Sequence, residues 1–292
     1  MSLWPAIEQA IAAAQGSAFL LARRQSAGGG CINEAWILEG EQGERWFLKL
    51  NAAHLLDMFE AEAHGLQELA KGGLRVPRPL AWGQAAGRAY LVLEYLPLGG
   101  RGDSVALGEG LARQHQVQAP RFGWHRDNTI GATPQPNAWL DDWIAFLRER
   151  RLGHQLALAA EQGYRGPLQE RGARLLEELE EFFVGYTPQP ALLHGDLWSG
   201  NVGYTREGEP VIFDPAVYYG DREADLAMTE LFGGFPPQFY QAYRAVAPLD
   251  PGYAVRRELY NLYHILNHLN LFGSGYLHQA EAMLDRLLAE LG

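Results

Sequence analysis

Three oxygen-bearing side chains at close spacing carry the clearest chemical signal in this sequence. Asp196 lies in the segment ALLHGDLWSGNVGY, Asn201 follows it, and Asp214 ends the apolar run PVIFD. A turn, TREGEP, separates the last two, so a loop, a hairpin and a short strand can direct all three side chains into one cleft. In phosphoryl transfer a carboxylate accepts the proton of the attacking hydroxyl, while an amide and a second carboxylate hold Mg²⁺ against the nucleotide phosphates. We therefore assign Asp196 as the catalytic base, and Asn201 and Asp214 as Mg²⁺ ligands.

A nucleotide also needs donors for its phosphates, and two upstream features can supply them. Three consecutive glycines open a predicted β-hairpin, where backbone N–H groups can approach phosphate closely: Gly28, Gly29 and Gly30. Of the 24 lysines and arginines only Lys49 and Lys71 are lysine, and Lys49 lies inside the apolar strand WFLKL. A lysine facing water at a sheet edge is the ordinary alternative. The pattern favours Lys49 as a ligand of the α- and β-phosphates.

The order of these features along the chain is more specific than any one of them. A glycine-rich hairpin comes first, then the strand lysine, then a helix that carries Glu62 and Glu60, then the catalytic carboxylate and the metal ligands. Glu62 is the better partner for Lys49, and Glu60 is the second choice. This order is that of protein-kinase-like enzymes. The competing interpretation of the acids and the amide, as residues that only shape turns, leaves the shared order unexplained.

The remaining pattern predicts an α+β fold of two lobes, with an antiparallel sheet and a helix in the first and mostly helices in the second. We place the boundary in the break near residues 95–100, which gives an N-lobe of residues 1–95 and a C-lobe of 96–292. Apolar periodicity predicts helices over 3–15, 58–70, 104–118, 138–150, 167–184, 222–232, 236–246, 252–271 and 276–290. Short apolar runs predict strands at 36–38, 46–50, 89–96, 191–196 and 210–214.

Longer motifs extend the similarity to one family. GGGCINEA, FLKLN, LVLEYL, DNTIGATPQPN, LLHGDLWSGN and FDPAVYYGDRE follow one another over roughly residues 28–270. In these motifs the chain resembles the fructosamine-3-kinases, also called ketosamine-3-kinases, which are relatives of aminoglycoside and choline kinases. The resemblance implies ATP-dependent, Mg²⁺-dependent phosphorylation of the C3 hydroxyl of ketosamines, the adducts of sugars with amines or protein lysines. It further implies that the phosphorylated adduct is unstable, so that the reaction leads to deglycation.

The resemblance also implies roles for further residues. Three residues correspond to the hinge whose backbone contacts adenine: Glu94, Tyr95 and Leu96. Trp198 lies between the base and the first metal ligand, where an indole can stack on a sugar, although packing in the core is the alternative. Asn128 is assigned to the acceptor pocket together with the TPQPN segment. Asp214 is followed by Pro215 and Ala216 rather than Phe and Gly, which predicts a constitutively assembled site.

Charge and cysteine usage limit the setting. The chain has 292 residues and a formal charge of −11, which disfavours nucleic acid as a partner and suits cationic acceptors. No apolar run is long enough for a membrane span, and the first residues predict an amphipathic helix rather than a signal peptide. The one cysteine, Cys31, lies in the glycine-rich hairpin, so we expect a cytoplasmic protein that is a monomer or a redox-linked homodimer through Cys31.

Two other functions fit much of the same pattern. One is a small-molecule kinase of the same fold that acts on an aminoglycoside or choline. The other is a catalytically inactive scaffold that only binds nucleotide. Retention of Lys49, Asp196, Asn201 and Asp214 together argues against the scaffold, which needs none of them as a set.

Overall fold

The computed structural model describes residues 2–28 and 32–291. Gly29, Gly30 and Cys31, which we assign to the phosphate loop and to redox control, lie outside the described residues. The predicted order of an antiparallel sheet with helices, followed by a mostly helical part, is confirmed. No helix in the described ranges is long and apolar enough to cross a bilayer. The division at residues 95 and 96 stays a prediction.

The first part of the chain is a five-stranded antiparallel sheet with one helix on each face. Its strands follow the order β1-β2-β3-β5-β4 across the sheet. The elements are α1 (Leu3–Gln15), β1 (Leu21–Ser26), β2 (Glu34–Gly40), β3 (Arg45–Ala52), α2 (Leu56–Leu69), β4 (Pro79–Ala85) and β5 (Arg88–Glu94).

Alternation along the central strands explains why the sheet needs both helices. Leu48 and Leu50 of β3 face one side, where they pack with Ile7 and Ile11 of α1. Residues 89, 91 and 93 of β5 face the other side, where they join the apolar stripe of α2 in the main core. Because side chains on a strand alternate between faces, Lys49 is directed toward α2. The helix that can carry its partner therefore lies directly opposite the lysine.

The second part of the chain contains eight helices within the described ranges and three short two-stranded sheets. The helices are α3 (Ser104–Gln114), α4 (Trp143–Phe146), α5 (Gly153–Glu161), α6 (Pro167–Glu177), α7 (Arg222–Leu231), α8 (Pro237–Val246), α9 (Tyr253–Phe272) and α10 (Leu277–Glu290). The strands are β6 (Asn128–Ile130), β7 (Thr133–Gln135), β8 (Ala191–Leu193), β9 (Val202–Tyr204), β10 (Pro210–Ile212) and β11 (Tyr218–Gly220). A π-helical stretch, Leu147–Leu152, connects α4 to α5.

One predicted helix begins later and ends later than the apolar pattern indicates. We predicted residues 138–150, but Leu140 pairs with Phe122 in an isolated antiparallel bridge and is therefore extended. Asp142 then caps the helix, because its carboxylate accepts a hydrogen bond of 2.6 Å from the N–H of Ala145. The helical path continues through the π stretch to Glu161.

Candidate active site

The loop after β8 carries the predicted base, and its backbone packs against the segment that carries Asp214. Gly195 has φ +83, and a Cβ placed on it would lie 2.0 Å from the carbonyl oxygen of Ala216. The N–H of Ala216 donates to the carbonyl of His194 at 2.8 Å. Only glycine combines this left-handed backbone with so close an approach. The Gly195 position therefore holds the base and the metal-facing segment at a fixed separation.

Asp225 of α7 binds the backbone of this loop through hydrogen bonds. Its carboxylate accepts hydrogen bonds from the N–H groups of His194 at 2.7 Å and Gly195 at 2.8 Å, and from Nε2 of His115 at 3.2 Å. Burial alone would raise the pKa of Asp225. The hydrogen bond and charge of His115, together with the hydrogen bond from the N–H of Gly195, lower this pKa below its usual value. The carboxylate is therefore ionised at neutral pH and fixes the backbone just before Asp196.

His194 is a structural residue of the same loop. Its Nε2–H donates to the carbonyl of Phe213 at 2.9 Å, and its Nδ1 accepts from the N–H of Asp196 at 3.3 Å. This pattern requires the neutral imidazole, and burial lowers the pKa of His194 accordingly. The side chain connects the residue before Asp214 to the backbone of Asp196.

Asp196 lies in a setting suited to a base. Burial and, to a smaller extent, the charge of Asp214 raise the pKa of its carboxyl to about 7, against a hydrogen bond from Asn201 that lowers it. The Nδ2 group of Asn201 donates to the carbonyl of Asp196 at 2.8 Å and to its Oδ2 at 3.3 Å. A base of this pKa has appreciable basicity and is still ionised for part of the time near neutral pH.

Lys49 meets two carboxylates. Its Nζ lies 2.5 Å from Oε1 of Glu62 on α2 and 2.5 Å from Oδ1 of Asp214. Burial alone would lower the pKa of Lys49, but the charges of Asp214 and Glu62 raise it, so the ammonium group stays protonated. The structure thus joins Lys49 to Glu62, whereas the other candidate, Glu60, lies 3.8 Å from Arg126.

Asn201 and Asp214 each keep a side-chain oxygen that a divalent cation bound to nucleotide phosphates could use. The Nδ2 group of Asn201 faces the backbone of Asp196 and Asp214, so its carbonyl oxygen, which accepts no hydrogen bond in the described part of the chain, is left for a cation. Asp214 has φ +55, and its side chain is half exposed, with Lys49 on one oxygen. No cluster of three metal-binding His, Cys, Asp or Glu side chains occurs in residues 2–28 and 32–291. Two hard oxygen ligands suffice for Mg²⁺ when phosphates and water complete its coordination, so the residues fit.

Helix α2, which carries Glu62, is tied to the second part of the chain at three points. Arg126 pairs with Asp57 and lies 2.9 Å from Nδ1 of His64. The hydroxyl of Tyr219 donates to Glu68 at 2.7 Å. Between them, a Cβ at Gly65 would lie 3.1 Å from the side chain of Val217. The helix therefore packs directly on the segment that follows Asp214.

The predicted hinge begins at Glu94, the last residue of β5, and continues into the residues after it, beside the lysine strand. The N–H of Glu94 donates to the carbonyl of Arg78 at 2.8 Å, and its carboxylate pairs with Arg75. The N–H of Glu94 is therefore used within the protein, so among the predicted hinge residues only the N–H groups of Tyr95 and Leu96 could donate to adenine. A Cβ at Gly28 would have no atom within 4 Å, and the role of Gly28 at the phosphates stays a prediction.

The two residues assigned to the acceptor lie in different surroundings. Trp198 is 39% exposed and meets the ring of Phe232 edge to face, with the centroids 6.3 Å apart. Its indole is therefore partly accessible, two residues after Asp196 along the chain. Asn128 is buried, and its side chain bonds to the carbonyl of Val217 at 2.8 Å and to Gln135 and Asn137. Its polar atoms are thus already used within the protein.

One contributor to the site, Asp225, escaped the sequence analysis, and another, Gln135, was assigned only as part of the TPQPN segment of the acceptor pocket. Asp225 gave no signal, because an acid in the first turn of a helix is expected to favour the helix dipole and face water. Gln135 donates to the carbonyl of Ala216 at 3.1 Å, although it lies far from the catalytic motifs along the chain. Its place in the DNTIGATPQPN motif was the one available indication.

The fold and this arrangement define a phosphotransferase of the protein-kinase-like class. A crystal structure from Haemophilus somnus 129PT, provisionally named fructosamine-3-kinase, matches with a TM-score of 0.89 and 30% identity over 98% of each chain. A choline kinase from Streptococcus pneumoniae matches with a TM-score of 0.65 and 14% identity over 98% of each chain, which supports the fold alone.

Sequence comparison then identifies the family. A model of fructosamine kinase matches residues 3–290. A protein of Synechocystis sp. named probable ketoamine kinase is 51% identical over 290 residues, which cover 98% of this chain and 97% of the relative. A chloroplastic protein-ribulosamine 3-kinase of Arabidopsis thaliana is 44% identical over 95% of this chain and 86% of the relative. The chain belongs to the fructosamine kinase family. Membership makes it a kinase, with ATP as the phosphoryl donor.

Proposed function

We propose that this protein transfers the γ-phosphoryl group of ATP to the C3 hydroxyl of a ketosamine, and that the product then loses its sugar. The observation that carries the proposal is the position of Asp196, which is hydrogen-bonded to Asn201 and close enough to Asp214 for the two charges to interact. The names of the relatives, ketoamine kinase and ribulosamine 3-kinase, support the choice of acceptor.

In this mechanism the protein positions the acceptor and moves one proton. The C3 hydroxyl donates a hydrogen bond to the carboxylate of Asp196, which takes the proton as the oxygen attacks the γ-phosphorus. The bond from that phosphorus to the bridging oxygen of ADP breaks, and ADP leaves. Lys49, held by Glu62, offsets the charge of the α- and β-phosphates. Asn201 and Asp214 would hold Mg²⁺, which would neutralise charge on the β- and γ-phosphates.

A panel of acceptors tests this function. Mass spectrometry should detect ATP-dependent addition of one phosphate to a ribulosamine or fructosamine adduct of a blocked lysine, and none to kanamycin or choline. The wild-type protein and Asp196→Ala are compared at equal folded concentration. We expect the variant to lose at least about a hundredfold in kcat, because removal of a general base typically costs that factor.

Three results would contradict the proposal in different ways. Phosphorylation of kanamycin or choline in place of the ketosamines would support the other small-molecule kinase. Binding of nucleotide without turnover of any acceptor would support the inactive scaffold. Unchanged turnover by Asp196→Ala would leave the reaction in place but refute the assigned base.

The setting and assembly belong to the same proposal. The single cysteine supports a cytoplasmic location, and the net charge of −11 supports a cationic amine adduct, free or on a protein, as acceptor. We propose Mg²⁺ as the metal, and a monomer or a homodimer joined through Cys31. Thiol titration with activity measured before and after an oxidant tests the role of Cys31, and unchanged activity on full oxidation would refute it.

A further inference from the structure

Behind the segment that follows Asp214 lies a buried polar network that the proposed mechanism does not use. Its members come from the β6–β7 hairpin, from the residues just after it, from the π-helical stretch and from α9. All are at most 8% exposed: Asn128, Gln135, Asn137, Arg151 and Tyr263. Buried polar groups are costly unless they are fully hydrogen-bonded, so such a set requires a reason.

The network ends on two consecutive backbone carbonyls. The Nε2 group of Gln135 donates to the carbonyl of Ala216 at 3.1 Å, and the Nδ2 group of Asn128 donates to the carbonyl of Val217 at 2.8 Å. Ala216 is two residues from Asp214, and its carbonyl oxygen is the atom that lies 2.0 Å from the position of a Cβ on Gly195. The two amides therefore fix the backbone on which the carboxylate of Asp214 depends.

Each amide has its orientation set by a neighbour. The guanidinium of Arg151 can only donate, and it donates to Oδ1 of Asn137 at 2.7 Å, so Nδ2 of Asn137 must face Oδ1 of Asn128 at 2.8 Å. Asn128 is thereby left with its own N–H₂ group toward Val217. In parallel, the hydroxyl of Tyr263 donates to Oε1 of Gln135 at 2.6 Å, which directs the Nε2 group of Gln135 toward Ala216.

Arg151 is itself held without a carboxylate among the residues that the structure describes. Its guanidinium lies 3.9 Å from the ring centroid of Tyr218 and 4.6 Å from that of Phe146, and NH1 donates to the carbonyl of Pro136 at 2.7 Å. Cation–π contacts and carbonyls can stabilise a desolvated guanidinium. Since no acid competes for it, the donor set of Arg151 is available to orient Asn137.

We propose that Gln135 and Asn128, oriented by Tyr263 and by Arg151 through Asn137, are positioning residues for the metal-facing carboxylate of Asp214. This inference rests on the proposed function, because it assigns a purpose to the same site. It also gives Asn128 a role behind the metal-facing segment, in place of contact with the acceptor. Residues that orient metal ligands from behind typically affect metal affinity by about 10- to 100-fold.

Metal binding, measured separately from turnover, tests the proposal. Binding of Mn²⁺ is followed by electron paramagnetic resonance in the presence of a non-hydrolysable ATP analogue, for wild type and for Gln135→Leu. We expect the dissociation constant for Mn²⁺ to rise roughly tenfold in the variant. The affinity for the analogue in the absence of metal should be unchanged, because Gln135 does not face the nucleotide.

Gln169→Leu is the matched control. Gln169 also donates to two backbone carbonyls, those of Leu156 at 3.0 Å and Tyr164 at 2.9 Å, but it belongs to α6 and joins that helix to α5 and the loop after it. The Gln169→Leu variant should have a lower midpoint of thermal unfolding than wild type, with the affinity for Mn²⁺ unchanged. If Gln135→Leu does the same, the network is only structural and the proposal is refuted.

Two further variants keep the test decisive if Gln135→Leu fails to fold. Tyr263→Phe deletes one hydroxyl and should weaken Mn²⁺ binding by a smaller factor than Gln135→Leu. Unchanged binding would contradict the orienting role of the Tyr263 hydroxyl.

Asn128→Asp removes the donor to Val217 and should weaken Mn²⁺ binding with an unchanged KM for the acceptor. A raised acceptor KM with normal Mn²⁺ binding would instead place Asn128 in the acceptor pocket. Failure of the wild type to phosphorylate any ketosamine would refute the proposed function and not the network.

Discussion

Replacement of Gly195 by alanine should disable the site through a contact that can be measured in the structure. Gly195 has φ +83, and the new Cβ would lie 2.0 Å from the carbonyl oxygen of Ala216. Real contacts of this kind are essentially never shorter than 3.0 Å, so one of the two segments must move by about 1 Å. Because one segment carries Asp196 and the other follows Asp214, the movement changes the separation of the proposed base and the proposed metal ligand.

The expected loss has two parts that a second glycine separates. Left-handed backbone at a non-glycine residue costs about 1–2 kcal/mol of folding free energy. Gly185 has φ +78 and no atom within 4 Å of its Cβ position, so Gly185→Ala carries this cost alone. The clash at Gly195 should add about 1–3 kcal/mol. A displacement of about 1 Å at reacting groups can cost about a hundredfold in rate.

The assay measures kcat on a ribulosamine adduct with saturating ATP and Mg²⁺, and the free energy of unfolding in urea, for both variants. We expect Gly185→Ala to keep kcat within about twofold of wild type, while Gly195→Ala loses about a hundredfold. If both variants lose similar stability and Gly195→Ala keeps the kcat of Gly185→Ala, the close packing of the two segments does not set the geometry of catalysis.

Three other substitutions and conditions give distinct results. Asp225→Asn should lower the free energy of unfolding at pH 7 by about 3 kcal/mol, since the single amide oxygen can accept from only one of the two buried N–H groups and carries no charge. The pKa of Asp225 is lowered by folding, so its contribution is complete above pH about 4 and is lost as pH falls; the wild-type excess over the variant should shrink in urea titrations below that pH. Lys49→Met should raise the KM for ATP at least about tenfold with the fold retained by circular dichroism, because it removes the charge that faces the phosphates. With the pKa of Asp196 near 7, kcat/KM should fall as pH drops below about 7. The fall in kcat should come at lower pH, because bound metal favours the ionised carboxylate. Coincident pH profiles of kcat and kcat/KM would contradict this expectation.

The catalytic set was predictable because its members are close along the chain. Asp196 and Asn201 share one loop, and Asp214 ends the next hairpin, so short-range geometry suffices to bring them together. Lys49 was predictable for a different reason, since a lone lysine in an apolar strand is chemically conspicuous. The roles of these residues stay predictions until the variants above are measured.

Contacts between segments that are distant along the chain could not be predicted from the sequence in the same way. Asp225 reaches the loop of Asp196 only because α7 packs beneath it, and the sequence gives no measure of that packing. Strand β1 was not predicted because it is an edge strand whose residues are mostly exposed, so it lacks the apolar alternation that marks a half-buried strand. Asn128 was placed with the acceptor by its motif, whereas its hydrogen bonds depend on Arg151 and Val217 from other elements.

The three ties of α2 to the second part of the chain bear on how the protein can be inhibited. A compound that binds only a form with α2 swung outward must first break the contacts at His64 and Glu68 and the packing at Gly65. At about 1 kcal/mol for each of these, the outward form is disfavoured by roughly a hundredfold, and the affinity of such a compound falls by the same factor. Selective inhibitors are therefore better directed to the indole of Trp198, an exposed apolar surface that can be reached without movement of α2.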